Sequence, residues 1–227
     1  MRPDVPEIAL ALVIAMVLHE VAHGLAARAL GDMTAQQAGR LTLNPLKHID
    51  RTGSILVPLL LVAGQILTLG RVVFVYGWAK PVPVNPMALR WRGAAYPRQL
   101  MALVALAGPC TNFLLAVIGG LLLYTPLSEG FLGYFILINL AIGIFNLLPV
   151  PPMDGGRIAV GVLPLRLARV WARAEKYGIL AVLLLLFVLP QVARRTGVDF
   201  NPFGAAMGRI LPWAEAQILW ITGHGGS

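Results

Sequence analysis

The chain has 227 residues, of which 58% are hydrophobic and only 12% are charged, whereas soluble domains carry about 25% charged residues. Together with a mean hydropathy of +0.76, this excludes an ordinary soluble domain and indicates an integral membrane protein. The net charge of +8 comes from basic residues that flank apolar segments, so we expect contact with anionic lipid and no binding of nucleic acid.

Five apolar segments predict helices that span or enter a membrane. They are 7–30, 53–69, 99–123, 131–149 and 178–192. A spanning helix needs about 20 residues, so the first, third and fourth segments are long enough, whereas the second and the fifth are short. We therefore predict an all-α polytopic membrane protein, a bundle of about four to six transmembrane helices. The first segment is too long, and too polar at its centre, for a cleaved signal peptide.

Positive charge indicates how the chain crosses the membrane. Lysine and arginine are frequent in 31–52 and 71–98, while 124–130 has neither. Since basic residues concentrate in cytoplasmic loops, we place 31–98 on the cytoplasmic side and 124–130 outside. Segment 53–69 would then dip into the membrane and return. A simple span at 53–69 would violate the charge rule, but it stays open as the alternative.

Residues 71–86, RVVFVYGWAKPVPVNP, differ from the apolar segments around them. β-Branched and aromatic residues precede Gly77, and proline then alternates with valine. This pattern is typical of a β-hairpin or an extended edge and is unfavourable for helix.

Residues 165–176, LRLARVWARAEK, predict an amphipathic helix. Basic residues occupy one helical face, at Arg166, Arg169, Arg173 and Lys176. Such a helix either lies on an anionic membrane surface or forms a solvated linker. We predict a single domain over 1–227, with a core at about 7–157 and the amphipathic helix and a C-terminal span in 164–227.

Two of the ten acidic residues, Glu20 and Asp154, lie in or directly against an apolar segment. An ionisable group at membrane depth costs about 2.5 kcal/mol or more, so such residues indicate a functional site. The single cysteine, Cys110, excludes an intrachain disulfide and a cysteine-based metal site.

His19 and His23 are four residues apart, so on a helix their rings lie on one face, one turn apart. Both imidazoles can then reach one Zn²⁺ at about 2.0–2.1 Å. Glu20 lies beside that face, where a carboxylate can act as general base without ligating the metal. This is the His-Glu-x-x-His arrangement of metallohydrolases.

A catalytic zinc needs a third protein ligand, and residues 145–157, FNLLPVPPMDGGR, offer a candidate. Asp154 is the one carboxylate in this stretch. We expect the prolines before it to end a helix and hold the chain extended. Gly155 and Gly156 allow a tight turn and a close backbone approach.

Three stretches together resemble the site-2 protease family of intramembrane zinc metalloproteases, in its short bacterial form without PDZ or CBS domains. They are HEVAH at 19–23, AGPCTN at 107–112 and NLLPVPPMDGG at 146–156, and the resemblance runs from about residue 16 to 157. It implies one Zn²⁺ per chain, bound by His19, His23 and Asp154. It also implies Glu20 as the catalytic acid/base and Asn146 as a polar residue near the substrate or the reacting carbonyl.

The resemblance also implies a β-hairpin at 71–86 that re-enters the membrane, a bacterial cytoplasmic membrane location, and a transmembrane protein or signal-peptide remnant as substrate. A helical substrate must unwind locally, and an extended edge could hold it by strand addition. We therefore predict substrate contacts at Gly77, Pro81 and Asn112, although Asn112 could instead bridge helices. His48 is either a donor near the site or an ordinary loop residue.

Two other functions are alternatives to this one. An ion or proton transporter could use the same histidines and carboxylates, but a relay does not need the i, i+1, i+4 spacing, and no paired half-repeats are evident. A haem protein is disfavoured because one helix face cannot ligate haem from both sides. The sequence gives no prediction of oligomeric state.

Overall fold

In the computed structural model, residues 4–71, 77–90, 97–127, 129–184, 188–195 and 200–225 are described. The regular structure within these ranges is helical: α1 Val5–Ala29, α2 Thr34–Gln37, α3 Val57–Leu69, α4 Pro97–Leu122, α5 Glu129–Asn146, α6 Asp154–Val162, α7 Leu165–Leu183, α8 Leu189–Arg195 and α9 Pro202–Ile221. A 3₁₀ turn at Pro45–His48 and a π-helical turn at Arg51–Leu56 precede α3. The predicted all-helical character is confirmed for the described part of the chain.

Two helices, α1 and α4, are long and apolar enough to cross a membrane by length and composition. Arg51–Leu67 and Gly130–Asn146 are shorter apolar helices. This agrees with the membrane character predicted from composition. The number of four to six spans, and the choice between dip and span at 53–69, stay predictions.

The predicted hairpin falls partly on residues 72–76, which lie outside the described residues. Residues 77–85 have no regular secondary structure, and none of the described ranges contains a strand. The hairpin therefore stays a prediction.

Helices α1, α4 and α5 pack against one another and form the centre of the bundle. Helix α6 packs on α4, α7 on α6, and α9 on α4 and α5. One buried apolar cluster contains Ala27, Leu30, Leu89, Leu100 and Val104. A second contains Ala116, Ile136, Leu140, Ala214 and Ile218. Helix α9 thus completes the core beside α4 and α5.

The C-terminal half differs from the expectation of separate amphipathic and apolar elements. Helix α7 runs from Leu165 to Leu183, so the basic segment 165–176 and the start of the apolar segment 178–192 belong to one helix. No proline or turn-forming sequence separates them, and Gly178 is tolerated within the helix because it packs closely against another backbone.

The segment 77–85 is fixed beside α1 by hydrogen bonds from every second residue. The Trp78 amide donates to the Gly53 carbonyl at 3.2 Å, and the Lys80 amide donates to the His48 carbonyl at 2.8 Å. The Val82 amide donates to Glu20 Oε2 on α1 at 2.9 Å. On the same residues, the Trp78 carbonyl accepts from Ser54 Oγ and the Lys80 carbonyl from Arg40 Nη2, both at 2.8 Å. One edge of this segment is therefore used by the chain itself.

Asp32 fixes the far end of this segment. Its side chain is 1% exposed, and it accepts hydrogen bonds from the Thr34 hydroxyl at 2.5 Å, the Thr34 amide at 2.9 Å and the Asn85 amide at 2.6 Å. Burial raises the pKa of this carboxyl, but the hydrogen bonds from Thr34 and Asn85 lower it more, and the net pKa lies below the ordinary value.

Asp32→Asn is expected to destabilise the protein at pH 7 by about 1–3 kcal/mol, because hydrogen bonds to a buried charge are weakened. The folded pKa lies below the unfolded value of about 3.9, so the carboxylate stabilises the fold above that value and this stability is lost as the pH falls through the folded pKa. Unfolding in detergent, followed from pH 7 to pH 3, should show the wild type and the variant converging at the acid end. A difference that stays constant over this range would contradict the assignment.

Candidate metal centre

Helix α1 presents two histidines from one face toward α4. His19 and His23 are 6% and 8% exposed, and their Nε2 atoms are 3.0 Å apart. The Nδ1 of His19 lies 2.6 Å from Asn112 Oδ1, and the Nδ1 of His23 lies 2.8 Å from the Val104 carbonyl. Both partners are acceptors, which favours a proton on each Nδ1 and leaves the Nε2 of each neutral imidazole able to ligate a metal.

Close approach of α1 and α4 at this level depends on Gly108. A Cβ at this position would lie 2.5 Å from His23 Nε2 and 2.6 Å from His19 Cε1. A side chain here would displace both rings. The glycine of the AGPCTN stretch is therefore required by the space that the histidines occupy.

The turn between α5 and α6 brings Asp154 to the same point. Helix α5 ends at Asn146, and Asp154 is the first residue of α6. The prolines end the helix, as expected, but residues 147–153 form turns and do not hold the chain extended. The turn is tight because Gly155 and Gly156 lie against the backbone of Leu147 and Pro151, where a Cβ would collide.

Three buried atoms form a nearly equilateral triangle. Asp154 Oδ2 is 3.1 Å from His19 Nε2 and 3.2 Å from His23 Nε2, and the two nitrogens are 3.0 Å apart. Asp154 Oδ2 is buried without a hydrogen-bond partner. Two imidazole nitrogens and a carboxylate oxygen that converge at this spacing suit a bound metal ion.

The donor set fits zinc in type and in size. Two imidazoles and one carboxylate are common ligands of a catalytic zinc, and ligands about 2.0–2.1 Å from a tetrahedral ion lie about 3.3 Å apart. The observed separations of 3.0–3.2 Å need only a small outward shift. Among the described residues, this is the one group of three such side chains whose ligand atoms converge, all within 4.8 Å of one another.

Glu20 lies beside this triangle but is not part of it. It directly follows His19 on α1, and its Oε2 accepts the Val82 amide at 2.9 Å. The backbone of the segment 77–85 therefore holds the carboxylate that the sequence predicts to be the acid/base. Pro81, a predicted substrate contact, precedes Val82 in this segment.

Asn112, another predicted substrate contact, is 0% exposed. Besides its contact with His19, its Nδ2 donates to the Ala15 carbonyl at 3.3 Å and to Asn139 Oδ1 at 2.9 Å. Both amide hydrogens are thus used within the bundle. The substrate contact stays a prediction. The observed hydrogen bonds of Asn112 connect α4 to α1 and α5, which agrees with the alternative that this residue bridges helices.

Asn139 was missed by the sequence analysis. It is 0% exposed in α5, and its Nδ2 donates to the Phe135 carbonyl at 2.8 Å, which leaves Oδ1 to accept from Asn112. An amide in the otherwise apolar stretch LINLAIGIF was the available signal, since buried polar groups in a membrane helix need partners. Val104 was missed because it acts through a main-chain carbonyl, which no motif reveals.

Asn112→Leu is expected to lower zinc affinity by about 10–100-fold, because the partner of a metal-bound imidazole fixes its tautomer and orientation. Competition with a chromophoric chelator would measure this on folded protein. Thr111→Val is the matched control, since Thr111 lies on the same helix and bonds only the Ala107 carbonyl. Equal zinc affinity in the Asn112 variant and the wild type would contradict the role of this contact.

The remaining predicted residues make other contacts. Asn146 Nδ2 donates to the Ile142 carbonyl of its own helix at 3.0 Å. Gly77 packs on the Gly53 carbonyl, where a Cβ would lie at 2.5 Å. His48 is 4% exposed and bonds the Thr42 carbonyl through Nε2 at 2.9 Å. None of these three contacts involves a ligand of the triangle.

Comparison with known proteins adds independent information. Residues 125–189 match the model of peptidase family M50. The chain is 38% identical over 198 residues to the candidate zinc metalloprotease YwhC of Bacillus subtilis, covering 82% of this chain and 81% of that protein. It is 32% identical over 193 residues to the candidate zinc metalloprotease Rip2 of Mycolicibacterium smegmatis, covering 80% of this chain and 66% of that protein. No solved structure matches the chain significantly.

Proposed function

This chain belongs to peptidase family M50, the site-2 protease family of zinc metallopeptidases, and from that premise we propose that it hydrolyses peptide bonds in or near transmembrane segments of other membrane proteins. The observation that carries the proposal is the buried triangle of His19, His23 and Asp154 within an apolar bundle. An ion transporter is not favoured by any relative found.

Three side chains of this chain would hold the metal: His19, His23 and Asp154. Zinc bound there would act as a Lewis acid toward water and toward the peptide carbonyl. Contacts from Asn112 and the Val104 carbonyl keep the two imidazoles oriented with Nε2 inward. With three ligands from the protein, a bound metal would remain accessible to water and substrate.

Glu20 would perform the proton transfers. Its carboxylate takes a proton from the attacking water and later gives that proton to the leaving amine. The Val82 amide, which donates to Oε2, holds one carboxylate oxygen and leaves the other for the proton. Asn146, at the end of α5, would turn its amide from the Ile142 carbonyl toward the developing oxyanion.

The position of the site supports a membrane-embedded substrate. His19, Glu20 and His23 lie in the second half of α1, an apolar helix of 25 residues that is long enough to span a bilayer. A substrate helix must unwind to expose its scissile amide. We propose that the chain acts as one domain in a bacterial cytoplasmic membrane, as its bacterial relatives suggest, on transmembrane proteins or signal-peptide remnants.

The segment 77–85 would hold the unwound substrate along its unused edge. Successive residues of an extended chain point to opposite sides, so the edge opposite Trp78, Lys80 and Val82 carries Ala79, Pro81 and Pro83. Proline has no amide hydrogen. Between Trp78 and Pro83, this edge can therefore accept hydrogen bonds at three carbonyls but can donate only from the Ala79 amide, which restricts the register in which a substrate strand can add.

The test is a cleavage assay with the full chain reconstituted in lipid vesicles. Tagged single-span proteins would be offered as substrates, beside soluble peptides of the same sequences. We expect cleavage of membrane-inserted segments, loss of cleavage with a zinc chelator and recovery on adding Zn²⁺. Cleavage of the soluble peptides alone would overturn the intramembrane substrate, and absence of zinc from the purified wild type would overturn the metallopeptidase.

A further inference from the structure

The basic face of α7 is a feature that the metal centre does not use. The side chains of this face are exposed and lie about one helical turn apart. They are Arg166, Arg169, Arg173 and Lys176. Within the described residues, no carboxylate lies within ion-pair distance of these four side chains. The acidic residue of α7, Glu175, faces the other way, with Oε1 3.5 Å from Nη2 of Arg157 on α6. The face is thus a cluster of uncompensated cations.

Exposed apolar side chains lie directly beside these cations. Leu167, Val170 and Tyr177 are 55%, 62% and 60% exposed, and Lys176 Nζ is 4.6 Å from the centre of the Tyr177 ring. Further along, α7 continues to Leu183 through an apolar stretch. Cations beside apolar residues, at the start of an apolar helical stretch, match the level where lipid phosphates meet the acyl chains.

The opposite face of α7 packs on the turn that carries Asp154. Gly178 is buried against the Pro151 carbonyl, where a Cβ would collide. Trp171, Ala172 and Glu175 line a cleft whose other wall is the Pro151–Met153 stretch with Gly156 and Arg157. The position of the turn therefore depends on how closely α7 lies against it.

We propose that the phosphate groups of anionic lipids bind the basic face of α7, and that this contact holds α7 against the turn that presents Asp154. Retention of the metal then depends on the lipid charge around the protein. The coupling requires that lipid binds more tightly when α7 is packed on the turn than when it is not. The second half of the proposal rests on the proposed function, since it takes Asp154 as a zinc ligand.

The first experiment titrates the detergent-purified full chain with dioctanoyl-phosphatidylglycerol, dioctanoyl-phosphatidylcholine and inorganic phosphate, followed by calorimetry. We expect binding of phosphatidylglycerol that weakens with added salt. The variant R169Q/R173Q/K176Q should lose about fivefold in affinity per cation, on the order of a hundredfold in all. The control K47Q/R51Q/R209Q removes three exposed cations elsewhere and should bind normally. Equal binding of both lipids, equal losses in both variants, or binding of inorganic phosphate in place of the lipid would overturn the proposal.

The second experiment measures the rate at which a chelator removes zinc from the protein in nanodiscs. Discs of phosphatidylcholine alone are compared with discs that also contain phosphatidylglycerol. We expect slower release with the anionic lipid in the wild type and in the control, but not in the α7 variant. If the rate of zinc release is the same with and without anionic lipid, although phosphatidylglycerol still binds, the coupling is overturned. Wild type without zinc in either disc would instead show that the proposed function has failed.

Discussion

Glu20→Gln is expected to abolish peptide hydrolysis while leaving zinc in place. Removing a positioned general base costs about 10²–10⁴-fold in rate. Glutamine keeps the size of the side chain, and its carbonyl oxygen can still accept the Val82 amide, so the segment 77–85 should stay where it is. The measurement is single-turnover cleavage of a membrane-inserted substrate, with zinc content determined on the same preparation.

A matched control is available on α9, which contributes no residue to the triangle. Glu215 is a partly exposed carboxylate on that helix, and Glu215→Gln should retain most activity. Loss of zinc from the Glu20 variant would show that this residue supports the metal and not the proton transfer. Retained activity with full zinc would remove it as the acid/base and would reopen the transporter alternative.

Asp154→Ala is expected to reduce zinc affinity by more than the loss of a hydrogen-bond partner of a ligand, such as Asn112, which costs about 10–100-fold. The two histidines alone provide too few ligands for a stable tetrahedral site. Elemental analysis of detergent-purified protein should give about one zinc per chain in the wild type and little in the variant.

The Asp154 result separates two explanations of the triangle. If the carboxylate merely neutralises protonated histidines, its removal should leave the zinc content unchanged. If it is a ligand, zinc should fall, while Asp32→Asn, which alters a buried carboxylate outside the triangle, should keep its zinc. Normal zinc in the Asp154 variant would mean that the third ligand has been assigned wrongly.

The candidate site was predictable where its chemistry lies in side chains at fixed helical spacing. His19 and His23 are one turn apart, so their convergence follows from helix geometry. Asp154 could be singled out because placing a carboxylate against an apolar membrane segment costs free energy, so such a residue indicates a functional site. The approach of these residues, in contrast, depends on how α6 packs on α4, and no local pattern in the sequence encodes that.

Contacts made by the main chain or by isolated amides could not be predicted. The Val82 amide and the Val104 carbonyl carry no signature in the sequence, because all residues have a carbonyl and all except proline have an amide hydrogen. Asn139 bonds a side chain 27 positions away, which requires knowing that α4 and α5 are neighbours. The extent of α7 also differs from the prediction, because the composition changes from basic to apolar near residue 177 while the helical backbone continues to Leu183.

The alternating prolines of the segment 77–85 also bear on self-association. A free extended edge in a membrane protein is a template on which a second copy can pair, and such pairing needs donors and acceptors from both partners. With Pro81 and Pro83 on that edge, two copies would face each other largely carbonyl to carbonyl, which is repulsive. The edge can then pair with a substrate strand that offers amide donors, but not with the same edge of a second copy of the chain. The molecule would therefore be protected from aggregation and from becoming its own substrate.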